Sequence, residues 1–227
     1  MSVCRKLNIA DIPPCTICIH STIPAASGLG SGAAVSVAII RAFSAFLGFP
    51  LPDEEVNEIA YEVEKIHHLT PSGIDNSVIT YGKPIFFLKG EPLNMLEVGK
   101  PFWVIIGDTR ISSPTAITVN EVRHAWESDP QTYEMLFDRI KDIVLQAREA
   151  IENGHVEKLG ELMNHNHECL RQIKVSSPEL EQIISAALNA GALGAKLSGS
   201  GRGGNMIALV NEQEAEPIAQ AMQKAGA

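Results

Sequence analysis

This chain has no surplus of positive charge, and its apolar runs are short. It carries 18 Lys and Arg against 27 Asp and Glu, a formal net charge of −9. Nucleic-acid-binding proteins normally present a basic face, so we expect no nucleic-acid partner. Arg41 interrupts the longest apolar run, which is shorter than the about 18 residues of a membrane-spanning helix. We therefore expect a globular protein with neither a nucleic-acid nor a membrane partner.

Cysteine is also scarce, with four residues at positions 4, 15, 18 and 169. Such scattered cysteines, without a recognisable signal peptide, predict a reducing, cytoplasmic location. Cys15 and Cys18 have the CxxC spacing of metal and redox sites, but no second ligand pair lies nearby. Residues 15–22 alternate between apolar and polar, so we predict a β-strand there instead of a metal site. His165 and His167 point to different sides of a helix, which disfavours a shared metal.

The P-loop motif GxxxxGK[ST] is absent, which excludes the nucleoside triphosphatases that carry it. Two other glycine-rich segments are present, at residues 24–34 and 194–204. Both contain the glycine spacing of dinucleotide-binding folds, but neither context fits. The first is not followed by a second strand with an acidic residue about 20 positions on, and the second leads into a strand instead of a helix.

The first glycine-rich segment runs into an apolar stretch, residues 31–47, that we predict to be a buried helix. Glycine permits positive φ and lets a ligand approach main-chain N–H groups. Free N–H groups at the start of a helix form an anion site, most commonly for a nucleotide phosphate. A plain tight turn is the alternative interpretation.

Two carboxylates come after this segment. Glu64 lies at the border of the apolar stripe of a helix that we predict to begin at Asp53, so it can point inward or remain a solvated surface residue. Asp75 follows a Thr-Pro pair at 70–71, the predicted N-cap and first residue of a short helix to about Tyr81. The helix dipole stabilises an ionised carboxylate there, which suits proton transfer near a phosphate; simple capping is the alternative.

The remaining pattern predicts two domains of α+β class, at residues 1–110 and 111–227. The second is mostly helical, with four helical segments between residues 115 and 190 that break near 129–130, 153–154 and 176–178. Strands are predicted at 84–88, 102–107 and 206–210, and a last helix from about residue 212.

Three motifs stand in fixed order: Pro24-x-x-x-Gly-Leu-Gly-Ser-x-Ala-Ala, Pro71-Ser-Gly-Ile-Asp-Asn, and Lys196-Leu-Ser-Gly-Ser-Gly. Together they resemble the signatures of the GHMP small-molecule kinases, and most closely those of the mevalonate kinases within that superfamily. Glu64, eleven residues before Asp75, strengthens the resemblance. It implies a two-lobed GHMP kinase fold, with a truncated N-terminal ATP-binding lobe like domain 2 of ribosomal protein S5 and a helical, ferredoxin-like C-terminal lobe.

The resemblance also implies an activity: ATP- and Mg²⁺-dependent phosphorylation of mevalonate to 5-phosphomevalonate, in isoprenoid precursor biosynthesis, by a chain expected to form a homodimer. Asp75 would act on the C5 hydroxyl, as base or by orienting it, and Ser31 and Glu64 would bind Mg²⁺ through oxygen atoms. The residues around the ATP phosphates would be Ala26, Ser27, Gly28, Leu29, Gly30, Ser31, Gly32 and Ala33. Those that face substrate and phosphates would be Thr115, Gly199, Ser200 and Gly201.

The chain departs from the family pattern in two places. Gly32 stands where the glycine loop of the family usually has a second serine. The N-terminal strand and the Pro-Gly-Lys…Gly-Glu-His segment, which supply a catalytic lysine and a substrate-facing histidine, are absent. Lys65 and Lys196 are the lysines inside the matched segments, and neither is an evident replacement. We therefore expect a fragment of a kinase, inactive by itself, with residues 15–22 left without sheet neighbours.

Two other functions stay open at this level. The first is a GHMP kinase for another small molecule, such as phosphomevalonate or homoserine. The second is a catalytically silent nucleotide-binding protein, which would bind ATP without turnover.

Overall fold

The computed structural model describes residues 2–23, 28–67, 72–88, 90–112 and 114–227. The chain divides into two compact units, Met1–Met95 and Leu96–Ala227, each with a hydrophobic core of its own. Within the described ranges, every helix is too short or too polar to cross a membrane.

The first unit, as far as the structure describes it, contains four helices and a small antiparallel strand pair. These are α1 (Ser2–Lys6), α2 (Ser31–Phe46), α3 (Asp53–His67), α4 (Ile74–Tyr81), β1 (Ile85–Phe86) and β2 (Asn94–Met95). The core lies where an apolar face of α2 meets one of α3, with Val37, Ile40, Val56, Ile59 and Ala60 buried. The predicted helices after the glycine loop and from Asp53, and the strand at 84–88, are confirmed.

Helix α2 is not buried all round, although its nearly uniform apolar composition predicts that it is. Ala33, Val37 and Ile40 face the core, whereas Phe46 is 54% exposed. Helices α3 and α4 pack against α2 and cover one stripe of its surface. A helix buries only the faces that its neighbours cover, which composition by itself does not reveal.

Residues 15–22 form no strand, contrary to the prediction. Ile17 and Ile19 are two positions apart, as residues on one buried face of a strand are, but they are 55% and 54% exposed. A strand requires a partner for its backbone N–H and C=O groups, and none of the described strands pairs with this segment. Cys15 and Cys18 are exposed free thiols, and the described residues contain no group of three potential metal ligands.

The second unit is built on a three-stranded antiparallel sheet of order β3-β5-β4, covered by helices. Its elements are β3 (Trp103–Asp108), α5 (Thr115–Ser128), α6 (Pro130–Glu152), α7 (Val156–Gln172), α8 (Pro178–Asn189), β4 (Gly194–Leu197), β5 (Asn205–Val210), a 3₁₀ turn (Glu212–Glu214) and α9 (Ala215–Lys224). Strand β3 pairs with β5 from Trp103↔Val210 to Asp108↔Asn205.

Both faces of the central strand β5 are buried. Met206, Ala208 and Val210 belong to the core that includes α8 and α9, while Leu209 belongs to the core of α6 and α7. A strand buried on both faces needs a continuous apolar run, which explains why Met-Ile-Ala-Leu-Val shows no polar alternation.

The four helices between residues 115 and 190 begin and end where the sequence predicts. The Asp129 side chain accepts a hydrogen bond from Thr132 N at 3.2 Å, and Ser177 Oγ accepts one from Leu180 N at 3.4 Å. Pro130 and Pro178 occupy the first turn after each cap, where a missing N–H has no cost. Local capping chemistry therefore sets the N-terminal boundaries of α6 and α8.

Strand β4 is not predicted by the sequence pattern, because residues 194–204 have the composition of one glycine-rich loop. Its outer edge is covered by side chains of α7: Ala195 N donates to Asn164 Oδ1 at 2.9 Å, and Leu197 N lies 3.5 Å from His167 Nδ1. The polar 164–167 cluster thus satisfies backbone groups that an edge strand leaves open. Burial, the leading cause, lowers the pKa of His167 and favours the neutral ring that this contact needs.

The division between the units falls after Met95, whereas the sequence places it after Arg110. The difference is strand β3, which pairs along its whole length with β5 near the other end of the chain. Pairing across about a hundred residues of chain leaves no local signal in the sequence.

Candidate active site

The candidate site of the first unit is centred on the N-terminus of α2. Gly30 is the N-cap residue with φ 68°, and Gly28 has φ 74°. No side chain caps this end of the helix within the described residues. Its first N–H groups are therefore available to an anion, with the positive end of the helix dipole behind them. Both glycines adopt the left-handed backbone that side chains disfavour.

Asp75 lies against this helix end. It is in the first turn of α4, whose N-cap Gly73 has φ 85°. A Cβ atom placed on Gly30 would be 3.8 Å from both Cβ and Cγ of Asp75, and 3.0 Å from Ile79 Cδ1. Helix α4 ends at Tyr81 as predicted, but it begins at Ile74, and its cap is Gly73 instead of the Thr-Pro pair, which lies outside the described residues.

Glu64 approaches the same helix end from α3. Its side chain is half-buried, and Oε1 is 3.9 Å from the position of a Cβ atom on Gly32. The inward orientation, one of the two left open by the helical pattern, is the one observed. Two carboxylates from different helices thus lie beside the first turn of α2.

A polar network holds α4 on α3 directly beside Asp75. Asn76 Nδ2 donates to Asn57 Oδ1 at 2.6 Å, and Ser77 Oγ donates to the same oxygen at 3.4 Å. Asn76 and Ser77 are both buried. Sequence reasoning missed Asn57, because its separation from Asn76 gives no local signal that could reveal the contact.

Arg41 ties the three helices together from the other end. Its Nη2 lies 2.6 Å from Thr80 O in α4 and 2.6 Å from Asp53 Oδ1 in α3. Sequence reasoning used this arginine only as an interruption of an apolar run. The position of Asp75 relative to α2 therefore rests on buried amides at one end of α4 and an arginine at the other.

The other predicted residues of the glycine loop differ in what they offer a ligand. Ala33 is buried with 2% exposure and Leu29 is 39% exposed, so both could face a phosphate only through their backbone. Ser31 is the half-exposed first residue of α2. Ala26 and Ser27 lie outside the described residues.

Oxygen donors at this helix end fit a divalent cation of the Mg²⁺ type. Glu64 and Asp75 supply carboxylates near Gly32 and Gly30, and the first residue of the helix, Ser31, carries a hydroxyl. Mg²⁺ prefers oxygen ligands and takes few of them from protein, since phosphates and water complete its shell. A site of this kind can therefore consist of one carboxylate and one hydroxyl from the protein.

The second unit brings together two other segments that the sequence analysis assigned to substrate and phosphates. Thr115 Oγ1 donates to Ser200 Oγ at 3.3 Å. Thr115 is the first residue of α5, and Ser200 lies in the loop between β4 and β5. The two residues are 85 positions apart in the chain.

Close backbone packing shapes this second loop, residues 198–204. Gly204 N donates to Ile111 O at 2.8 Å, and Thr109 N donates to Gly204 O at 3.0 Å. A Cβ atom on Gly201 would overlap the carbonyl oxygen of Val175. Glycine is required here because another backbone passes too near for a side chain.

The two lysines of the matched segments have other contacts. Lys65 Nζ is 2.6 Å from Glu62 Oε1 and 4.6 Å from the centre of the Tyr61 ring, and the hydrogen bond to Glu62 raises its pKa. Lys196 Nζ donates to Leu197 O at 2.7 Å, and burial lowers its pKa to about 8. Each lysine thus contacts a group of its own unit, Glu62 or the Leu197 carbonyl, that is not predicted to be catalytic.

Known proteins resemble both ends of the chain. The family model described as GHMP kinases N terminal domain matches residues 1–83, and the one described as GHMP kinases C terminal matches residues 147–227. A mevalonate kinase of Thermococcus gammatolerans is 39% identical over 218 residues, which are 93% of this chain and 64% of the relative.

Solved structures are similar over the same extent. The structure of Methanococcus jannaschii mevalonate kinase has a TM-score of 0.83 at 31% identity, covering 98% of this chain and 69% of that one. That of L. major mevalonate kinase in complex with R-mevalonate has a TM-score of 0.83 at 38% identity, covering 87% and 62%. The chain spans somewhat less than two thirds of the length of the curated relatives that it matches.

Proposed function

Because this chain belongs to the GHMP kinase family, we propose that it carries machinery for the ATP-dependent phosphorylation of mevalonate to 5-phosphomevalonate. The α+β GHMP kinase fold is shown by the family models and the structural neighbours. The observation that carries the proposal is the approach of Asp75 and Glu64, from two helices, to the N-terminus of α2, which no side chain in the described part of the chain caps.

Phosphoryl transfer depends mainly on positioning and on neutralising charge. In the proposed mechanism, backbone N–H groups around Gly28, Gly30 and Gly32 bind the ATP phosphates. The dipole of α2 adds fixed positive potential that requires no reorganisation during the reaction. Residues 28–33 therefore act mostly through their backbone, which explains why all of them except Leu29 are small.

Asp75 is the proposed catalytic residue. The approach of its side chain to Gly30 supports a role in accepting or orienting the proton of the attacking C5 hydroxyl. The Asn76–Asn57 hydrogen bond and the Arg41 contacts fix the helix that carries it. Such support matters because misplacement of a reacting group by about 1 Å is enough to lower a rate a hundredfold.

Ser31 and Glu64 are proposed to hold Mg²⁺, which would neutralise charge on the phosphates when bound. Thr115, Gly199, Ser200 and Gly201 are proposed to face substrate and phosphates, supported by the Thr115–Ser200 hydrogen bond. A homodimer and a cytoplasmic location are further proposals that rest on the family resemblance and on the free cysteines.

The test is mevalonate-dependent release of ADP from ATP, measured on this chain and on a version of it extended upstream in frame. We expect Asp75→Asn to lower the rate about a thousandfold while leaving the melting temperature unchanged. Asp142→Asn, on the exposed face of α6, is the matched control and should keep full activity.

The outcomes separate the alternatives. Turnover with phosphomevalonate or homoserine, but not mevalonate, would keep the fold and reject the substrate. If both proteins bind ATP and neither turns it over, a silent nucleotide-binding role would be favoured. An active Asp75→Asn variant would reject Asp75 as the catalytic carboxylate.

A further inference from the structure

Arg202 occupies a backbone position that would suit glycine. The loop has the sequence Gly-Ser-Gly-Arg-Gly-Gly from residue 199 to 204, and its four glycines all have positive φ. Arg202 also has a positive φ, of 59°. A residue with a Cβ is strained in this left-handed conformation, so a compensating interaction of the side chain is expected.

The Arg202 side chain joins three segments of the second unit. Its Nη1 forms an ion pair with Glu121 Oε2 in α5, while Nε and Nη2 each lie 3.3 Å from Lys174 O. Its own backbone N–H donates to Val175 O at 2.7 Å. The planar guanidinium can hold a carboxylate and a carbonyl at once because its five donors form a fixed fork.

The Arg202–Glu121 ion pair joins the same helix and the same loop as the Thr115–Ser200 hydrogen bond. Glu121 is on the same helix as Thr115, and Arg202 is on the same loop as Ser200. Helix α5 and the loop are thus joined by two side-chain contacts, one between hydroxyls and one between charges. The Arg202–Glu121 ion pair therefore restricts the separation of Thr115 and Ser200.

We propose that Arg202 and Glu121 are positioning residues, which hold the loop so that Ser200 stays within hydrogen-bonding reach of Thr115. Only the ligand assigned to Thr115 and Ser200 rests on the proposed function. The geometry that it assigns belongs to the second unit and can be measured without any substrate.

A purely stabilising role is disfavoured by exposure. The Arg202 and Glu121 side chains are 34% and 48% exposed, and ion pairs this accessible to water contribute little to stability. The left-handed backbone also favours glycine over arginine at this position. Replacing Arg202 by glycine should therefore leave the melting temperature unchanged or raise it slightly.

The first test is backbone amide hydrogen exchange on the full chain, followed at residues 202 and 204. Their N–H groups donate to Val175 O and Ile111 O, so their exchange rates report how firmly the loop is held. In Arg202→Gly and Glu121→Gln we expect both amides to exchange about tenfold faster, with an unchanged melting temperature.

Two variants serve as matched controls. Lys174→Gly removes the same kind of strain, since Lys174 has φ 63°, but it keeps the carbonyl that Arg202 contacts. Glu161→Gln removes an exposed ion pair with Lys158 on α7. Neither control should change the exchange of residues 202 and 204.

The second test is steady-state kinetics with ATP and mevalonate, measured on a protein that turns over in the ADP-release test. We expect the two variants of the pair to raise KM for the phosphoryl acceptor about tenfold and to change kcat less than about twofold. Unchanged amide exchange in both variants, or equal acceleration in Lys174→Gly, would overturn the positioning role. Faster exchange with unaltered KM and kcat would support the positioning role and reject Thr115 and Ser200 as residues that face the substrate. Absence of turnover in both proteins of the ADP-release test would reject the proposed function, while the exchange result would still decide the positioning role.

Discussion

The two glycine-rich loops share one spacing but use their glycines differently. In the loop before α2, Gly28 and Gly30 turn the chain so that the helix begins with N–H groups that no described side chain caps. In the loop between β4 and β5, the backbone groups are used internally: Arg202 N donates to Val175 O, and Gly204 N donates to Ile111 O. The first loop exposes donors, and the second packs against two other segments.

This difference shows what a glycine motif does and does not predict. The shared spacing, GxGxxA in the first loop and GxGxxG in the second, reports only that large side chains are disfavoured at certain positions. Whether a ligand or another segment of protein occupies the freed space depends on the element that the loop leads into. The first loop leads into a helix, which adds a dipole and the N–H groups of its first turn, whereas the second leads into a sheet strand.

The largest expected effect is on folding of the second unit. In Gly201→Ala the new methyl group would overlap the Val175 carbonyl oxygen at a φ of 80°. We expect a loss of about 3 kcal/mol or more in the free energy of unfolding, or failure to fold. Chemical denaturation of the purified chain measures this loss.

Gly199→Ala is the control for that experiment. Its φ is 87°, but nothing among the described residues lies within 4 Å of the added Cβ atom. It should cost only the backbone strain, about 1–2 kcal/mol. Equal losses in the two variants would mean that the second loop owes its glycines to conformation alone and not to packing.

The next effect concerns ligand binding at the first loop. Glu64→Gln removes a charge beside Gly32, so we expect Mg²⁺-dependent ATP binding to weaken about a hundredfold, near 2.7 kcal/mol. Isothermal titration calorimetry with and without Mg²⁺ measures it. Glu62→Gln, two residues away and paired with Lys65, should bind as the wild type does. Similar binding by both variants would remove Glu64 from the site.

The smallest effect is the pH dependence caused by Lys196. Its pKa is about 8 in the folded chain and near 10.5 when unfolded, so the unfolded chain binds more protons between these values. Stability should therefore rise from pH 8 to 10.5, and the benefit is lost as pH falls through 8. At pH 7, Lys196→Met should raise stability by about 1–2 kcal/mol, less than the full shift because the amine retains a carbonyl contact.

Urea unfolding at about pH 7 and about pH 10 measures this effect, as the difference between variant and wild type. The advantage of Lys196→Met should shrink at the higher pH. Lys158→Met, at an exposed ion pair on α7, should show no such dependence. An advantage that is constant with pH would mean that packing, and not the buried charge, explains it.

Much of the candidate site could be predicted because its motifs are short. The Ser31–Phe46 helix after the glycine loop and the end of the Asp75 helix at Tyr81 both arise from local signals. The direction of Glu64 could not be predicted, because a residue at the border of an apolar stripe can face either way. Asn57 and the Arg202–Glu121 pair were missed, since each is defined by a partner far along the chain.

Local sequence specifies the elements that depend on neighbouring residues: the caps at Asp129 and Ser177, the helix breaks, and the glycine positions that need positive φ. These arise from hydrogen bonds and backbone sterics within a few residues. Long-range packing, by contrast, selects which segments become strands. Residues 15–22 have the pattern without a partner among the described strands, while β4 has a partner in β5 and an edge covered by Asn164 and His167. A strand is stabilised by groups distant in sequence, so its pattern states only that it could pair.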